Sequence, residues 1–505
     1  MVGGSSVRPA GQSRRSPEAM TLTLYWHDYE SWGADPRRDR PAQFAGLRTD
    51  ADLNPVGEPL TLYCRPPVDA LPSPEACLIT GITPQVADRE GLCEVEFIAR
   101  IHDELARPGT CGVGYNSIRF DDELTRHTLY RNFFDPYARE WQGGNSRWDI
   151  IDLVRMARAL RPEGLRWPSH PGGAPSNRLE DITAANGIEH VGAHDALADV
   201  LATIEVARLL RRAQPRLYDY YFALRDKRRV AAMLDCETMK PVVHVSGMYP
   251  AEHGCLAVVA PLATHPVNRN AVIVYDLRHD PRPFAQLEPE AIRERLFTAA
   301  ADLPDGVERV PVKTVHCNRS PAVAPLATLT PEAASRWGID PDRAFENLEH
   351  LRRAEGLARR VQLAHDAPAP AADDDPERAL YGGFFGDADR ARIARVRATP
   401  PSELGLTDFG FEDARLGELL FRYRARNFPG TLSTGERQRW QAHCRRCLEG
   451  GAGAAGLEGF LAGLQDLRAG GAGERESRII RELEVHARRL AREAGLDTRI
   501  GQPGG

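Results

Sequence analysis

Two carboxylates, Asp28 and Glu30, stand two positions apart at the end of an apolar stretch, Leu22-Thr23-Leu24-Tyr25-Trp26, whose composition is that of a strand. Side chains alternate faces along a strand, so Asp28 and Glu30 share one face and Tyr29 takes the other. Two neighbouring acids on a buried strand repel each other and lose hydration unless a cation neutralises them. A hard divalent ion, Mg²⁺ or Mn²⁺, is the natural partner of such an oxygen site. The alternative is an edge strand whose acidic end faces water.

Three more groups bear on that choice. Asp121 lies where a short apolar segment, 111–116, hands over to a helix starting near Glu123. His194 precedes the amphipathic helix 196–211, and Asp199 lies on its first turns. Singly, each has a plainer role: Asp121 as a helix cap, Asp199 as an exposed helical acid, His194 as a loop histidine bonded to backbone, with the neighbouring Asp195 as an N-cap. Together they suit one chemistry. Four carboxylates can hold two metals about 3.5–4 Å apart on the attacking and leaving oxygens of a phosphodiester, and a histidine can take the proton of the attacking water.

At 505 residues the chain has room for two to four domains. Residues 1–20 are rich in Gly, Ser, Arg and Pro and read as a disordered tail. Residues 21–207 start with β-hairpin patterning at 43–49 and 59–64. A helix at 94–106, the strand 111–116 and helices at 149–160, 179–186 and 196–211 come next, which predicts a three-layer α/β domain. Residues 208–366 hold a basic connector and then short β-rich segments near 242–245, 256–259, 271–277 and 310–315, as in a small barrel with inserted helices. After an Ala/Pro/Asp linker, 367–376, residues 377–497 are helical, and 498–505 form a second tail. The connector 208–229 interleaves Tyr218, Tyr220, Tyr221 and Phe222 with arginines. It is either a solvated helix with an aromatic core face or a phosphate-tracking stripe with stacking platforms.

The formal charge of −6 shows no global attraction to polyanions, so any nucleic-acid surface must be local. Nine scattered cysteines, without a signal peptide, fit a reducing cytosol. The one metal-like spacing, Cys444 to Cys447, has no second pair, which argues against a zinc site. No apolar run reaches the length of a membrane span.

Asp28-Tyr29-Glu30, Asp121 and His194-x₄-Asp199 resemble the motif of the DEDDh class of 3′→5′ exonucleases. The chain as a whole is similar to the bacterial exodeoxyribonuclease I family. Residues 39–44, 78–85, 115–123, 145–149 and 185–190 carry the likeness, as do 240–248 and 423–430 outside the first domain. The resemblance implies an α/β RNase H-like exonuclease domain with a mixed sheet, an SH3-like β-barrel domain and an all-α C-terminal domain. These would clamp single-stranded DNA as a cytoplasmic monomer acting in DNA repair and recombination.

It further implies two Mg²⁺ ions, replaceable by Mn²⁺, on Asp28, Glu30 and Asp199 with Asp121 at the second site. His194 is then the general base in a hydrolysis that releases 5′-mononucleotides. The implied DNA contacts are Glu30, Arg126, Tyr137, Trp141, Arg155, Arg178, Lys227, Asn270, Lys313, Asn318 and Tyr381, with Arg424 or Arg426 as further candidates to close the groove. The C-terminal tail of single-stranded DNA-binding protein is the implied partner, on Arg161, Tyr220, Lys240 and Arg352. The chain departs from the pattern at Asn177, in place of an aromatic residue, and at Thr330, in place of a basic one. An exoribonuclease of the same class and a catalytically silent binding scaffold remain the rival readings. The two extra domains count against the first, and the intact acids and histidine against the second.

Overall fold

The structure, a computed structural model, describes residues 22–192, 194–366, 373–450 and 456–496. The expected tails and most of the expected linker lie outside the described residues.

The candidate acids sit on a five-stranded sheet of β1 (Thr23–Ser31), β2 (Pro41–Thr49), β3 (Leu60–Tyr63), β4 (Thr110–Gly114) and β5 (Ser146–Asp149). The spatial order is β3-β2-β1-β4-β5, with β1 antiparallel to β2 and parallel to β4. β1 is therefore the central strand, which rules out the edge-strand alternative. It also runs further than the apolar stretch suggests. Asp28 and Glu30 lie inside the ladder, opposite Ala45 and Gln43 of β2. Backbone pairing continues because the ladder uses N–H and C=O groups whatever the side chain.

Helices cover both faces of this sheet. Tyr25, Tyr29 and Phe44 pack against Phe97, Ile98 and Ile101 of the helix Glu94–Leu105 and Leu124 of the helix Asp121–Arg131. Leu24, Trp26, Val113 and Trp148 pack on the opposite side with the helices Ile150–Leu160 and Ala196–Ala213. Strand β5 is a correction, since the sequence pattern predicts a helix from Asp149 and no strand before it. Asp149 instead ends the strand and caps the next helix, accepting the Ile151 N–H at 3.0 Å.

The connector resolves in favour of its structural role. Tyr218 and Tyr221 are fully buried, and Trp148 packs edge-on against Tyr218 and Phe222. These rings are core, so the reading of them as base-stacking platforms is withdrawn.

The second sheet is antiparallel throughout, ordered β10-β6-β7-β8-β9. Its strands are β6 (Val242–Val245), β7 (Leu256–Thr264), β8 (Ala271–Asp276), β9 (Val312–His316) and β10 (Ala322–Pro325). The short strand β10 escapes the sequence pattern. It ends in Pro325, which an edge position tolerates.

The C-terminal helices are fastened to the first domain in two ways. Leu457, Phe460, Ile479 and Leu483 share a core with Trp32, Cys77 and Ile82. A buried ion network also spans the boundary: Arg426 donates to Asp69 at 2.6 Å and to Glu377 at 2.7 Å, and Arg40 reaches Glu377 at 3.2 Å and Glu94 at 3.3 Å. Arg424 is buried on Glu436 at 2.5 Å. Neither Arg424 nor Arg426 faces a groove, which corrects that expectation: their partners are acids, and the sequence gives no sign of the pairing. Among the described residues no helix is long and apolar enough to cross a membrane.

Candidate active site

Three stretches of chain deliver the acids. β1 presents Asp28 and Glu30 to one side, while Tyr29 goes to the other and meets Phe44 edge-on. Asp121 opens the helix Asp121–Arg131, and its Oδ1 accepts the Tyr29 N–H at 3.1 Å, which ties it to β1. The turn before it is held by Asp149, whose carboxylate accepts the N–H of Asn116 at 2.8 Å and of Ile118 at 3.2 Å. Asp199 lies one turn into the helix Ala196–Ala213, which Asp195 caps by accepting the N–H of Leu197 and Ala198. Gln43 of β2 donates to Asp195 at 3.1 Å and accepts from the Ala196 N–H at 3.2 Å. That clip lays the start of the helix over β1.

The electrostatics show an uncompensated cluster. Burial and then the charges of Asp121, Glu30 and Asp199 push the Asp28 carboxyl well up. Burial, Asp199 and Asp121 push Glu30 up to about 8. Burial and Asp122 raise Asp121, and burial raises Asp199. The adjacent Asp122 makes the contrast. It is buried as deeply as Asp121 and more deeply than the others, yet Arg147 at 2.8 Å and Arg139 at 2.6 Å hold its carboxyl well below the ordinary range. No arginine or lysine is bonded to Asp28, Glu30, Asp121 or Asp199 among the described residues. Such a donor set fits one or more hard divalent cations held by oxygen ligands.

Two histidines attend the cluster. His194 is exposed, in the left-handed region at φ 68°, and one ligand atom each of Glu30, His194 and Asp199 lies within 4.8 Å of the others. A non-glycine residue there is strained, a feature that collects at working sites. His190 has no role in the sequence reading beyond its place in the motif 185–190. Its Nε2 lies 2.5 Å from Asp199 Oδ1 and its Nδ1 3.2 Å from Thr183 Oγ1. The spacing of two histidines four residues apart is the one signal that could have flagged it.

A second group also converges, Asp69, His443 and Cys447. It differs in kind. Arg426 already neutralises Asp69, and against the pull of burial the hydrogen bond to Asp69 lifts His443 up to about 9. A cationic histidine beside an arginine does not attract a metal.

The implied DNA contacts fall only in part into two recesses. Arg126, Tyr137, Trp141, Asn318 and Tyr381 line a recess of about 730 Å³ between the first domain and the C-terminal helices. Trp141 and Tyr381 are half or more exposed there. Arg126 is buried, bonded to Glu140 at 2.7 Å and 2.8 Å and to Tyr381 Oη at 3.2 Å, and lies over the Tyr137 ring. Arg155 and Lys313 line a smaller recess of about 120 Å³ with Arg119 and Arg319. Lys227 donates to Asn270 at 2.9 Å, and neither lines these recesses, nor does Arg178, which is exposed at the start of the helix Leu179–Asn186.

The four partner-site residues gather around two adjoining segments. Arg161 donates to the Thr328 carbonyl at 3.1 Å, Tyr220 to that of Val323 at 2.9 Å and Arg352 to that of Thr238 at 3.1 Å. Lys240 is exposed just before β6, which pairs with β10. Thr330, where a basic residue was expected, caps the helix Pro331–Arg336 by accepting the Ala333 N–H at 3.2 Å.

Comparison with known proteins gives three consecutive family matches. They are Exonuclease over residues 25–207, Exonuclease I SH3-like domain over 225–367 and Exonuclease I C-terminal domain over 374–490. The chain is 51% identical over 425 residues to Exodeoxyribonuclease I of Escherichia coli, covering 84% of this chain and 89% of that protein. A zinc-bound E. coli ExoI–ssDNA complex superposes at a TM-score of 0.88 with 48% identity, over 93% of this chain and 100% of that one. An ExoI/SSB-Ct complex gives 0.88 with 47% identity over the same shares.

Proposed function

The chain belongs to the exodeoxyribonuclease I family, and from that premise we propose how its own residues carry out the 3′→5′ hydrolysis of single-stranded DNA. The fold is an RNase H-like exonuclease domain, an SH3-like domain and a helical C-terminal domain, and activity depends on a divalent metal. Our reading is of two Mg²⁺ ions on Asp28, Glu30 and Asp199, with Asp121 completing the second site. Ions held by these residues would neutralise charge on the phosphodiester and lower the pKa of a bound water. His194, exposed at the edge of the acid cluster, takes the proton from that water. Asp149 and Gln43 hold the loop before Asp121 and the helix of Asp199 in place, so the acids are pre-positioned.

The recesses and the surface around them supply binding. Trp141, Tyr137 and Tyr381 offer rings to bases; Arg155, Arg178, Lys227 and Lys313 offer cations to phosphates; Asn270 and Asn318 add hydrogen bonds. Arg126 acts behind Tyr137 and Tyr381, since its guanidinium is held by Glu140. Arg161, Tyr220, Lys240 and Arg352 form the surface for the acidic tail of single-stranded DNA-binding protein. The products are 5′-mononucleotides, and the setting is cytoplasmic DNA repair and recombination. The observation that carries this reading is the cluster of partly buried Asp28, Glu30 and Asp199 with buried Asp121, to which no arginine or lysine is bonded among the described residues while Asp122 beside it has two. Incubation with 5′-labelled DNA and RNA oligonucleotides, with and without Mg²⁺, tests it. Metal-dependent shortening of single-stranded DNA from the 3′ end is expected; RNA as the better substrate would overturn the assignment.

A further inference from the structure

A third recess, of about 730 Å³, opens where the first domain, the SH3-like domain and the C-terminal helices meet. Its walls carry Arg37, Arg119, Arg309, Lys313 and Arg319 against two acids, Asp35 and Glu123. Glu123 is already bonded to Arg126 at 2.7 Å and to Tyr381, so cations dominate. None of Asp28, Glu30, Asp121 and Asp199 lines it.

Two large apolar side chains stand on the rim of this cationic hollow. Phe297 and Met248 are each 66% exposed. Phe297 ends the helix Pro289–Phe297, which buried Ile292 and Leu296 anchor to the SH3-like domain, and Arg309 donates to the Leu296 carbonyl. The ring is fixed edge-on by His365, at 5.8 Å between centroids and 73° between planes. A water-facing aromatic ring, braced from one side over a row of cations, has the makeup of a base-stacking platform beside a phosphate track.

We propose that Phe297 is a base-stacking residue of the single-strand path, with Met248 beside it and Arg309 as its phosphate partner, holding the strand outside the acid cluster. This rests on the single-stranded DNA reading above. Charge complementarity commits the recess to that occupant.

The test is equilibrium binding of oligothymidylate to the full chain in EDTA, where no cleavage occurs, at several salt concentrations. Stacking contributes enough that Phe297→Ala should weaken binding about five- to a hundredfold. The log–log salt slope should not change, because no phosphate contact is lost, and Phe297→Trp should restore affinity. Arg309→Gln should instead make the slope shallower by about 0.7. On a strand of abasic residues, wild type and Phe297→Ala should bind alike. Unchanged affinity of Phe297→Ala for oligothymidylate would overturn the proposal, as would an equal loss on the abasic strand. Failure of the wild type to bind either strand would instead overturn the DNA reading beneath it.

Discussion

His190 places its Nε2 2.5 Å from Asp199 Oδ1, and its other ring nitrogen faces Thr183 Oγ1 at 3.2 Å. The imidazole is thus oriented from behind and in turn orients the carboxylate. His194, four residues on, is exposed, with a ring nitrogen within 4.8 Å of both Glu30 and Asp199. In the proposed reading the two histidines therefore divide the work, one positioning an acid and the other serving the reacting water.

His190→Ala should act on metal affinity. Loss of a partner that orients a ligand typically costs about 10–100-fold in metal binding or activity. The Mg²⁺ concentration for half-maximal rate should rise by that factor, and kcat at saturating metal should recover most of its value. An unchanged metal titration would show that Asp199 is held well enough by its helix alone.

His194→Ala should act on the chemical step. A general base is worth about 10²–10⁴ in rate, and the metal titration should stay where it is in the wild type. Single-turnover cleavage of labelled oligothymidylate at saturating Mg²⁺ reads this directly. A loss smaller than tenfold would move the proton-accepting role elsewhere.

Asp28→Ala should abolish hydrolysis while leaving single-strand affinity in EDTA within a factor of a few of the wild type. In the proposed reading the acid holds metal, whereas the recesses proposed to bind the strand are lined by other residues. Turnover near the wild-type rate would remove Asp28 from the metal site.

Metal and pH should be linked through Glu30. Its carboxyl is pushed up to about 8 by burial and then by Asp199 and Asp121, against 4.5 for an ordinary glutamate. Between those values the folded metal-free protein holds a proton that the unfolded chain has released. Stability therefore falls as pH rises through that window, and below it the group contributes no difference. A divalent cation cancels the repulsion that causes the shift. Mg²⁺ should thus raise Tm more at about pH 8.5 than at about pH 6. Differential scanning fluorimetry at matched ionic strength checks this; an equal rise at both values would mean that the acids are hydrated and ionised without metal.

Arg426→Ala should be a stability mutant, distant from the chemistry. It leaves Asp69 and Glu377 buried with one counter-charge fewer. Breaking a buried pair from one side costs about 3–5 kcal/mol. Urea unfolding should show that loss, and the processive length of cleavage should shorten as the C-terminal helices loosen from the first domain. A loss below about 1 kcal/mol, the range of an exposed pair, would mean that water reaches the network.

Short-range geometry is the part of this protein that its sequence determined alone. A strand repeats every two residues, so Asp28-x-Glu30 put both acids on one face wherever the strand ended up. A helix starts where Asp195 caps it, so His194 stayed in the loop and Asp199 one turn inside. Residue types at these spacings also carried the likeness to a nuclease family. Only the tertiary structure decided which charges meet and which aromatics are buried. Asp121 reaches the Tyr29 N–H across 92 residues, and Arg40 reaches Glu377 across 337. Tyr218 and Tyr221 look in the sequence like Tyr381 does, yet the first two fill the core against Trp148 while the last stands in the groove. A ring or a guanidinium serves core, ion network or substrate equally well. The residue type is the same in each case, and its surroundings, made by chain far away, set what it does.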